Sequence, residues 1–248
     1  MSKRARVVSA RARAGAQREA LRRQRQRRRM TMLITIGVIA VVGGGIAWWS
    51  VGQSASETVT GALAPITIQP DGSVVMARPG VTAPVVDVYE DYQCPACKQL
   101  ELTSGSTLKN LAAEGKAKVV FHLLTIFKTD PTMSNSLRAG SAARCVTDGA
   151  QWLPYHDKLY ERQPIETSVG FTADELVRWG HEVGVTSPDF EGCVRGLRNV
   201  ATHQQYSNQV MASRKLAGTP TVMLNGQSLG TVAFVPSALR EAVLNAAG

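Results

Sequence analysis

Residues 85–98 read VVDVYEDYQCPACK, and this stretch decides the fold. Its first part, Val85–Tyr89, is rich in valine and predicts a buried β-strand. Residues 98–113 can continue as a helix. Two cysteines, Cys94 and Cys97, stand between these elements. The sequence therefore predicts a dicysteine motif at the point where a strand turns into a helix.

The position of this motif predicts its chemistry. Cys94 is expected in the first helical turn, where free amides and the helix dipole favour the nucleophilic thiolate. Cys97 lies one turn later on the same face, so the two thiols can close and reopen a small disulfide. Pro95 fits this geometry, since a proline near the first helical position removes no hydrogen bond. Spacing and context favour a redox-active pair, with a structural disulfide and a zinc half-site as the alternatives.

The chain from about residue 65 onward is expected to form an α/β domain that carries a helical insertion. Gln69–Gly72 is a turn signal between two β-prone runs and predicts a short hairpin. A block of mostly helical pattern predicts the insertion at about 131–215. Within it, Thr172–Glu175 has the form of a capping box, which predicts the start of a helix. The other predicted elements are strands at 118–124 and 221–224 and a helix at 236–247.

The N-terminal part of the chain is predicted to anchor it in a membrane. Residues 1–29 form a basic arm with twelve Lys and Arg and one acid, whereas the rest of the chain has 16 basic and 18 acidic residues. Residues 30–51 are uncharged and long enough for a transmembrane helix of about 20 residues. A cleaved signal peptide and a buried core helix are the alternatives. Residues 52–64 are small and polar, which suits a tether.

This arrangement predicts where each part of the chain lies. The positive-inside rule places the basic arm in the cytoplasm and the domain that begins near residue 65 outside the cell membrane, as a single-pass protein. Thiols outside the membrane tend to be oxidised, which favours a redox role. Nucleic-acid binding by the arm is not expected, because the arm has no aromatic residue for base stacking and adjoins the apolar span.

Composition excludes several classes of protein. With 44% hydrophobic residues, 22 Gly and 11 Pro in 248 residues, the chain is neither fully disordered nor collagen-like. Four cysteines in this length exclude a cysteine-dense mini-protein. The histidines lack metal-binding spacing, so we predict no metal site and assign them to structure or solvent; they are His122, His156, His181 and His203.

Two separated motifs resemble a known family. Residues 90–98 (EDYQCPACK), with Gly218–Thr221 far downstream, resemble the DsbA-like thiol-disulfide oxidoreductases of the thioredoxin superfamily, which are secreted or membrane-anchored. Residues 152–157 (WLPYHD) and 190–193 (FEGC) are similar to the helical insertion of that family. The resemblance covers about residues 65–248 and implies a thioredoxin-like fold with a helical insertion, preceded here by one N-terminal transmembrane helix.

The resemblance also implies roles for individual residues. Cys94 is expected to form the mixed disulfide with substrate, and Cys97 to resolve it. Pro220 is expected to be the cis-proline of the superfamily, in a catalytic position beside the disulfide. The implied substrate-binding residues are Thr219, Pro95 and Tyr92.

Three further expectations follow from the resemblance. Glu101 is expected either to assist proton transfer from Cys97 or to be a solvated helix residue. The acid that many relatives carry on the strand before the motif has no counterpart at Val88. Cys145 and Cys193 are expected to form a second, structural disulfide.

The function implied is the formation of disulfides in exported proteins outside the cytoplasm. The redox-active Cys94–Cys97 disulfide would act without another cofactor. The expected partners are unfolded or reduced exported proteins and a membrane protein that reoxidises the pair. Two alternatives remain: a reductase or isomerase of the same fold, and a membrane-tethered binding module without catalysis.

Overall fold

A computed structural model describes residues 57–247. The predicted basic arm, the predicted transmembrane helix and the first residues of the predicted tether lie outside this range. None of the helices between Glu57 and Ala247 combines the length and the apolar character that a bilayer crossing needs.

The described chain forms one mixed six-stranded sheet with helices around it. The strands are β1 (Ile66–Ile68), β2 (Val74–Met76), β3 (Val85–Glu90), β4 (Lys118–Leu123), β5 (Thr221–Leu224) and β6 (Gln227–Ser228), in the spatial order β1-β2-β4-β3-β5-β6. The helices are α1 (Pro95–Ala113), α2 (Thr132–Ala143), α3 (Gly149–Glu161), α4 (Ala173–Glu182), α5 (Phe190–Arg195), α6 (Val200–Ser213) and α7 (Pro236–Ala247), with a 3₁₀ helix at Gly230–Phe234.

The centre of the sheet is the β3-α1-β4 unit that the opening stretch predicts. β3 and β4 are parallel, with Val88 opposite Phe121, whereas every other pair of neighbouring strands is antiparallel. Parallel neighbours need a crossover, and α1 supplies it. Val86 and Val88 are fully buried in the main core, while Tyr89 belongs to a smaller cluster with Tyr206 of α6. The side chains of β3 therefore pack on both faces of the sheet.

Several local predictions are confirmed. β1 and β2 form the predicted hairpin, with Ile66 opposite Met76. Thr172 caps α4, and the Thr172 and Glu175 side chains each bond to the backbone of the other residue, as in a capping box. The helical insertion is present as the five helices from α2 to α6, between β4 and β5.

Candidate redox site

The backbone places Cys94 at the N-terminus of α1. Cys94 is the N-cap residue in an extended conformation, and Pro95 occupies the first helical position without a lost hydrogen bond. The amides of Cys97 and Lys98 both donate to the carbonyl of Cys94, at 3.1 and 3.2 Å. The Cys94 sulfur therefore lies beside the free amides of the first turn, where an anion is stabilised.

The two thiols, which are free here, differ in their surroundings. Cys94 is 6% exposed and Cys97 is fully buried. A hydrogen bond from Cys97, with help from Thr219 and the first-turn amides, lowers the pKa of Cys94 to about 6 despite partial burial. Burial, and then the neighbouring Cys94 and Glu90, raises the pKa of Cys97 well above its ordinary value. At neutral pH, Cys94 is a thiolate and Cys97 a thiol.

The loop before β5 forms one wall of the site. The Thr219-Pro220 peptide bond is cis, and the Cys94 thiol donates to the carbonyl of Thr219 at 3.3 Å. The loop is brought here by the pairing of β5 with β3, in which Thr221 lies opposite Tyr89. Two segments more than 120 residues apart in the chain thus meet at one sulfur.

The helical insertion supplies a second wall through the α3–α4 loop. The Gln163 amide donates to the carbonyls of Tyr92 and Cys94, at 2.7 and 2.9 Å. In return, the Gln93 side chain donates to the carbonyl of Pro164 at 3.0 Å. These reciprocal bonds fix the backbone on the N-terminal side of the dicysteine motif. The sequence analysis missed them, because a glutamine in a loop carries no local signal of its partner.

Asp91 fixes the same backbone from below. Its carboxylate accepts hydrogen bonds from the amides of Gln93 and Ile126, at 2.8 and 2.9 Å. Burial outweighs these bonds and raises the pKa of Asp91 to about 6. Asp91 therefore links the dicysteine loop to the segment that follows β4.

A buried ionisable cluster lies beneath Cys97, and it consists of Glu90 at the end of β3, Glu101 on α1 and His156 on α3. His156 Nε2 is 3.7 Å from Glu101 Oε1 and 4.0 Å from Glu90 Oε2. The side chains of Glu90 and His156 are fully buried and that of Glu101 is 8% exposed. On the other side of its ring, His156 Nδ1 is hydrogen-bonded to the Tyr92 hydroxyl at 3.0 Å. Glu101 is therefore a buried group and not a solvated helix residue.

Glycine in the middle of α1 makes room for this cluster. A Cβ atom on Gly105 would lie 2.5 Å from Glu101 Oε2. Glycine inside a helix costs about 1 kcal/mol relative to alanine. Here it leaves space for the Glu101 carboxylate one turn earlier on the same face.

The two glutamates have opposite protonation behaviour. Burial, followed by the nearby charge of Glu101, raises the pKa of Glu90 well above its ordinary value. Burial also opposes the ionisation of Glu101, but the hydrogen bond and charge of His156 outweigh it, and the pKa of Glu101 is lowered. At neutral pH the pair thus holds one proton, on Glu90.

The sequence analysis missed Glu90 and His156. Glu90 lies two residues after Val88, and side chains two apart on a strand point to the same face. The acid absent at Val88 is therefore replaced from the same strand face, a signal that strand periodicity could have provided. His156 could not be found this way, because its proximity depends on how α3 packs.

The other predicted site residues fall into three groups. Pro95 is exposed at the start of α1. Tyr92 is 1% exposed, so its side chain belongs to the buried cluster and not to a surface that substrate can reach. Cys145 and Cys193 are joined as a disulfide between the end of α2 and α5, and the Asn199 amide donates to both sulfurs.

The same cluster is also the one group of side chains with metal-ligand chemistry found among residues 57–247. Ligand atoms of Glu90, Glu101 and His156 all lie within 4.8 Å of one another. Of the other histidines, His122 bonds to Asp87 and Tyr206, His203 lies beside Thr125 and Arg144, and His181 is exposed.

Comparison with known proteins supports this interpretation of the site. The family model described as Thioredoxin matches residues 80–241. No sequence among the curated proteins matches the chain. Oxidised DsbA from Mycobacterium tuberculosis is a similar solved structure, with 26% identity, a TM-score of 0.60, and coverage of 75% of this chain and 93% of that one.

Two further solved structures have the same fold. MdbA from Actinomyces oris, a thiol-disulfide oxidoreductase, is 25% identical, with a TM-score of 0.60 and coverage of 73% of this chain and 88% of that one. BdbD from Bacillus subtilis is 19% identical, with a TM-score of 0.61 and coverage of 75% and 99%, and shares the fold. The DsbA and MdbA neighbours support protein disulfide oxidoreductase activity. With the family model spanning most of its length, the chain belongs to the thioredoxin family.

Proposed function

We propose that the protein forms disulfides in exported proteins outside the cytoplasm, using Cys94 and Cys97. The observation that carries the proposal is the contrast between the two thiols. The partly accessible Cys94 has a pKa lowered to about 6, whereas the fully buried Cys97 has a pKa raised well above its ordinary value. A pair of this kind reacts with substrate at one sulfur only.

The reaction starts from the oxidised pair. A substrate thiolate attacks Sγ of Cys94, the Cys94–Cys97 bond breaks, and the bonding electrons go to Cys97, which takes up a proton. A second substrate thiolate then attacks the substrate sulfur of the mixed disulfide, and Cys94 leaves as a thiolate. Its low pKa makes it a good leaving group. The substrate is oxidised by two electrons and the cysteine pair is reduced by two, so no other cofactor takes part.

Residues around Cys94 would hold the substrate chain and move its proton. The Thr219-Pro220 loop lies against the Cys94 sulfur and can offer backbone hydrogen bonds to an extended chain, while Pro95 is exposed beside it. Proton transfer at Cys97 is assigned to the Glu90–Glu101 pair, since Glu90 lies close enough to raise the Cys97 pKa.

The cellular setting is proposed from the sequence. Residues 30–51 would cross the cell membrane, with residues 1–29 in the cytoplasm and the redox domain outside. Reduced or unfolded exported proteins would be the substrates, and a membrane protein would reoxidise the pair. The basic arm is assigned to topology and lipid head groups and not to nucleic acid.

The test is stoichiometric oxidation of a reduced, unfolded protein by the oxidised full-length chain, followed by mass spectrometry. Cys94→Ser should abolish the transfer, while Cys97→Ala should accumulate a reducible adduct on Cys94. A redox-independent partner that still binds Cys94→Ser, with no transfer by the wild type, would favour a binding module.

The direction of the reaction is tested by the equilibrium reduction potential of the Cys94–Cys97 pair in glutathione buffers. A potential near about −120 mV is typical of a disulfide donor. A potential near about −270 mV would instead favour the reductase alternative.

A further inference from the structure

The cluster beneath Cys97 contains more buried polar atoms than partners for them. Both carboxylate oxygens of Glu90, Oε1 of Glu101 and Nε2 of His156 are buried and have no hydrogen-bond partner within residues 57–247. Buried polar groups are nearly always satisfied, so such a concentration needs an explanation. All four atoms belong to groups that can gain or lose a proton.

The charges of the cluster cannot all be present at once. Two carboxylates in one buried pocket oppose each other's ionisation, so one of them keeps a proton. The other groups that face Glu90 are Cys94, Cys97 and Lys109 on α1 and Asp157 and Tyr160 on α3. Lys109 is bound to Asp157, at 2.7 and 2.8 Å, and this pair largely neutralises itself.

His156 decides which carboxylate ionises. The Tyr92 hydroxyl holds Nδ1 at 3.0 Å and turns Nε2 towards the two acids. Nε2 is nearer to Glu101 than to Glu90, at 3.7 against 4.0 Å. Trp152 and Tyr160 pack on the ring at 4.7 and 5.1 Å between centroids, so the imidazole cannot easily turn away.

We infer that His156 is a positioning residue, which fixes the negative charge on Glu101 and thereby keeps Glu90 protonated as the proton donor to Cys97. This inference rests on the proposed function and names the groups that serve it. It also gives the helical insertion a part in the redox chemistry, because His156 lies on α3.

The proton step balances within the site. When the substrate thiolate displaces Cys97, the O–H bond of Glu90 breaks and an S–H bond forms on Cys97. Glu90 is left as a carboxylate beside the Glu101 carboxylate, which favours rapid reprotonation from solvent. In the reverse direction Cys97 returns its proton to Glu90 before it attacks the mixed disulfide.

Infrared difference spectroscopy of purified full-length protein tests the assignment directly, because a protonated carboxyl has a carbonyl band distinct from that of a carboxylate. The wild type should show one buried protonated carboxyl. This band should disappear in Glu90→Gln and remain in Glu101→Gln. A band that survives in Glu90→Gln would overturn the inference.

The role of His156 has its own variant and control. His156→Gln should add a second protonated carboxyl, because Glu101 loses the group that favours its charge. His203→Gln is the matched control, since His203 is a fully buried histidine in a different cluster, and it should leave the spectrum unchanged. An unchanged spectrum in folded His156→Gln would refute the proposal. If that variant fails to fold, Tyr92→Phe removes the Nδ1 partner and should shift the same bands.

Two further measurements separate this inference from its rivals. General acid catalysis typically contributes at least about 100-fold, so Glu90→Gln should slow the formation of the mixed disulfide by about that factor. A wild type that transfers no disulfide but shows the expected spectra would refute the proposed function and retain the charge assignment. One equivalent of divalent metal in the purified wild type, lost in His156→Gln, would overturn the inference, because a cation would then neutralise the cluster in place of the proton.

Discussion

At the scale of single residues, Cys94 and Cys97 have the same side chain and differ in what surrounds each sulfur. Cys94 lies beside the free amides of α1 and the Thr219 carbonyl, and Cys97 lies one turn deeper among buried acids. Free amides stabilise an anion, and burial without a cation destabilises one. The order of reactivity is thus set by one helical turn.

The first prediction concerns the pH dependence of these thiols. In the reduced protein, the alkylation rate of Cys94 should rise with pH through a midpoint near 6 and then level off, because only the thiolate reacts. Cys97 should stay unreactive over the same range. Mass spectrometry of peptides alkylated at successive pH values measures both. Similar midpoints for the two cysteines would contradict the proposed roles.

The same pKa predicts how the reduction potential varies with pH. Below pH 6 reduction takes up two protons, and above it one, since Cys94 then stays ionised. The potential should fall by about 59 mV per pH unit below this point and by about 30 mV above it. A single slope across pH 6 would show that Cys94 titrates elsewhere.

At the scale of elements, the site depends on loops that the insertion and the sheet bring to the start of α1. Gln163 in the α3–α4 loop holds two carbonyls of the dicysteine loop, and Gln93 holds the insertion in return. At the other end of α1, Arg240 of α7 pairs with both Glu57 and Glu114. Both ends of α1 are therefore fixed by side chains distant in sequence.

The loop bonds predict the effect of Gln163→Leu. This change keeps most of the side-chain volume and removes two hydrogen bonds, each worth about 1 kcal/mol. The amides of residues 92–97 should exchange hydrogen faster and the rate of disulfide transfer should fall. Gln151→Leu is the control, because Gln151 makes exposed bonds to Thr186 in the same insertion. Equal exchange in both variants would argue against a role for the α3–α4 loop.

The Arg240 contacts predict the effect of Arg240→Ala. Glu57 and Glu114 each accept two hydrogen bonds from the guanidinium, at 2.8 to 3.0 Å. Its loss should expose residues 57–64 to proteolysis and lower the free energy of unfolding by about 1 kcal/mol, since the pairs are partly exposed. Arg178→Ala, which removes a single exposed pair with Glu182, should do neither. Arg240 lowers the pKa of Glu57, so this contribution should be lost as pH falls below the ordinary glutamate value.

At the scale of the whole molecule, the insertion and the sheet share one hydrophobic core. Val88 and Leu100 from the β3-α1 unit lie in the same cluster as Trp152, Tyr155 and Phe171 from the insertion. Within the insertion, the Cys145–Cys193 disulfide closes a loop of 48 positions between α2 and α5. The insertion is therefore part of the folded unit that forms the site.

The disulfide predicts a stability loss without a loss of redox chemistry. In the chain-entropy model, a loop of this length contributes about 4 kcal/mol, so Cys145→Ser with Cys193→Ser should lower the unfolding free energy by up to that amount. Chemical denaturation of the full chain measures it. Cys94 alkylation near pH 6 should persist while the variant is folded. Loss of Cys94 reactivity in folded protein would mean that the second disulfide also takes part in catalysis.

The sequence by itself determined the features whose partners are close along the chain. The strand, the dicysteine motif and the helix of residues 85–113 could be predicted because local periodicity and helix-start chemistry depend on near neighbours. The hairpin at Gln69–Gly72 and the capping box at Thr172 were predicted for the same reason. The order of reactivity of the two cysteines also follows from their position in the first helical turn.

Only the tertiary structure decided how the protons are arranged below the cysteines. Glu90, Glu101 and His156 come from β3, α1 and α3, and His156 lies 55 positions beyond Glu101. Their distances depend on how α3 packs against α1 and the sheet, and no local pattern encodes that packing. Their protonation depends on burial, which raises or lowers a pKa only after the chain has excluded water from the whole cluster.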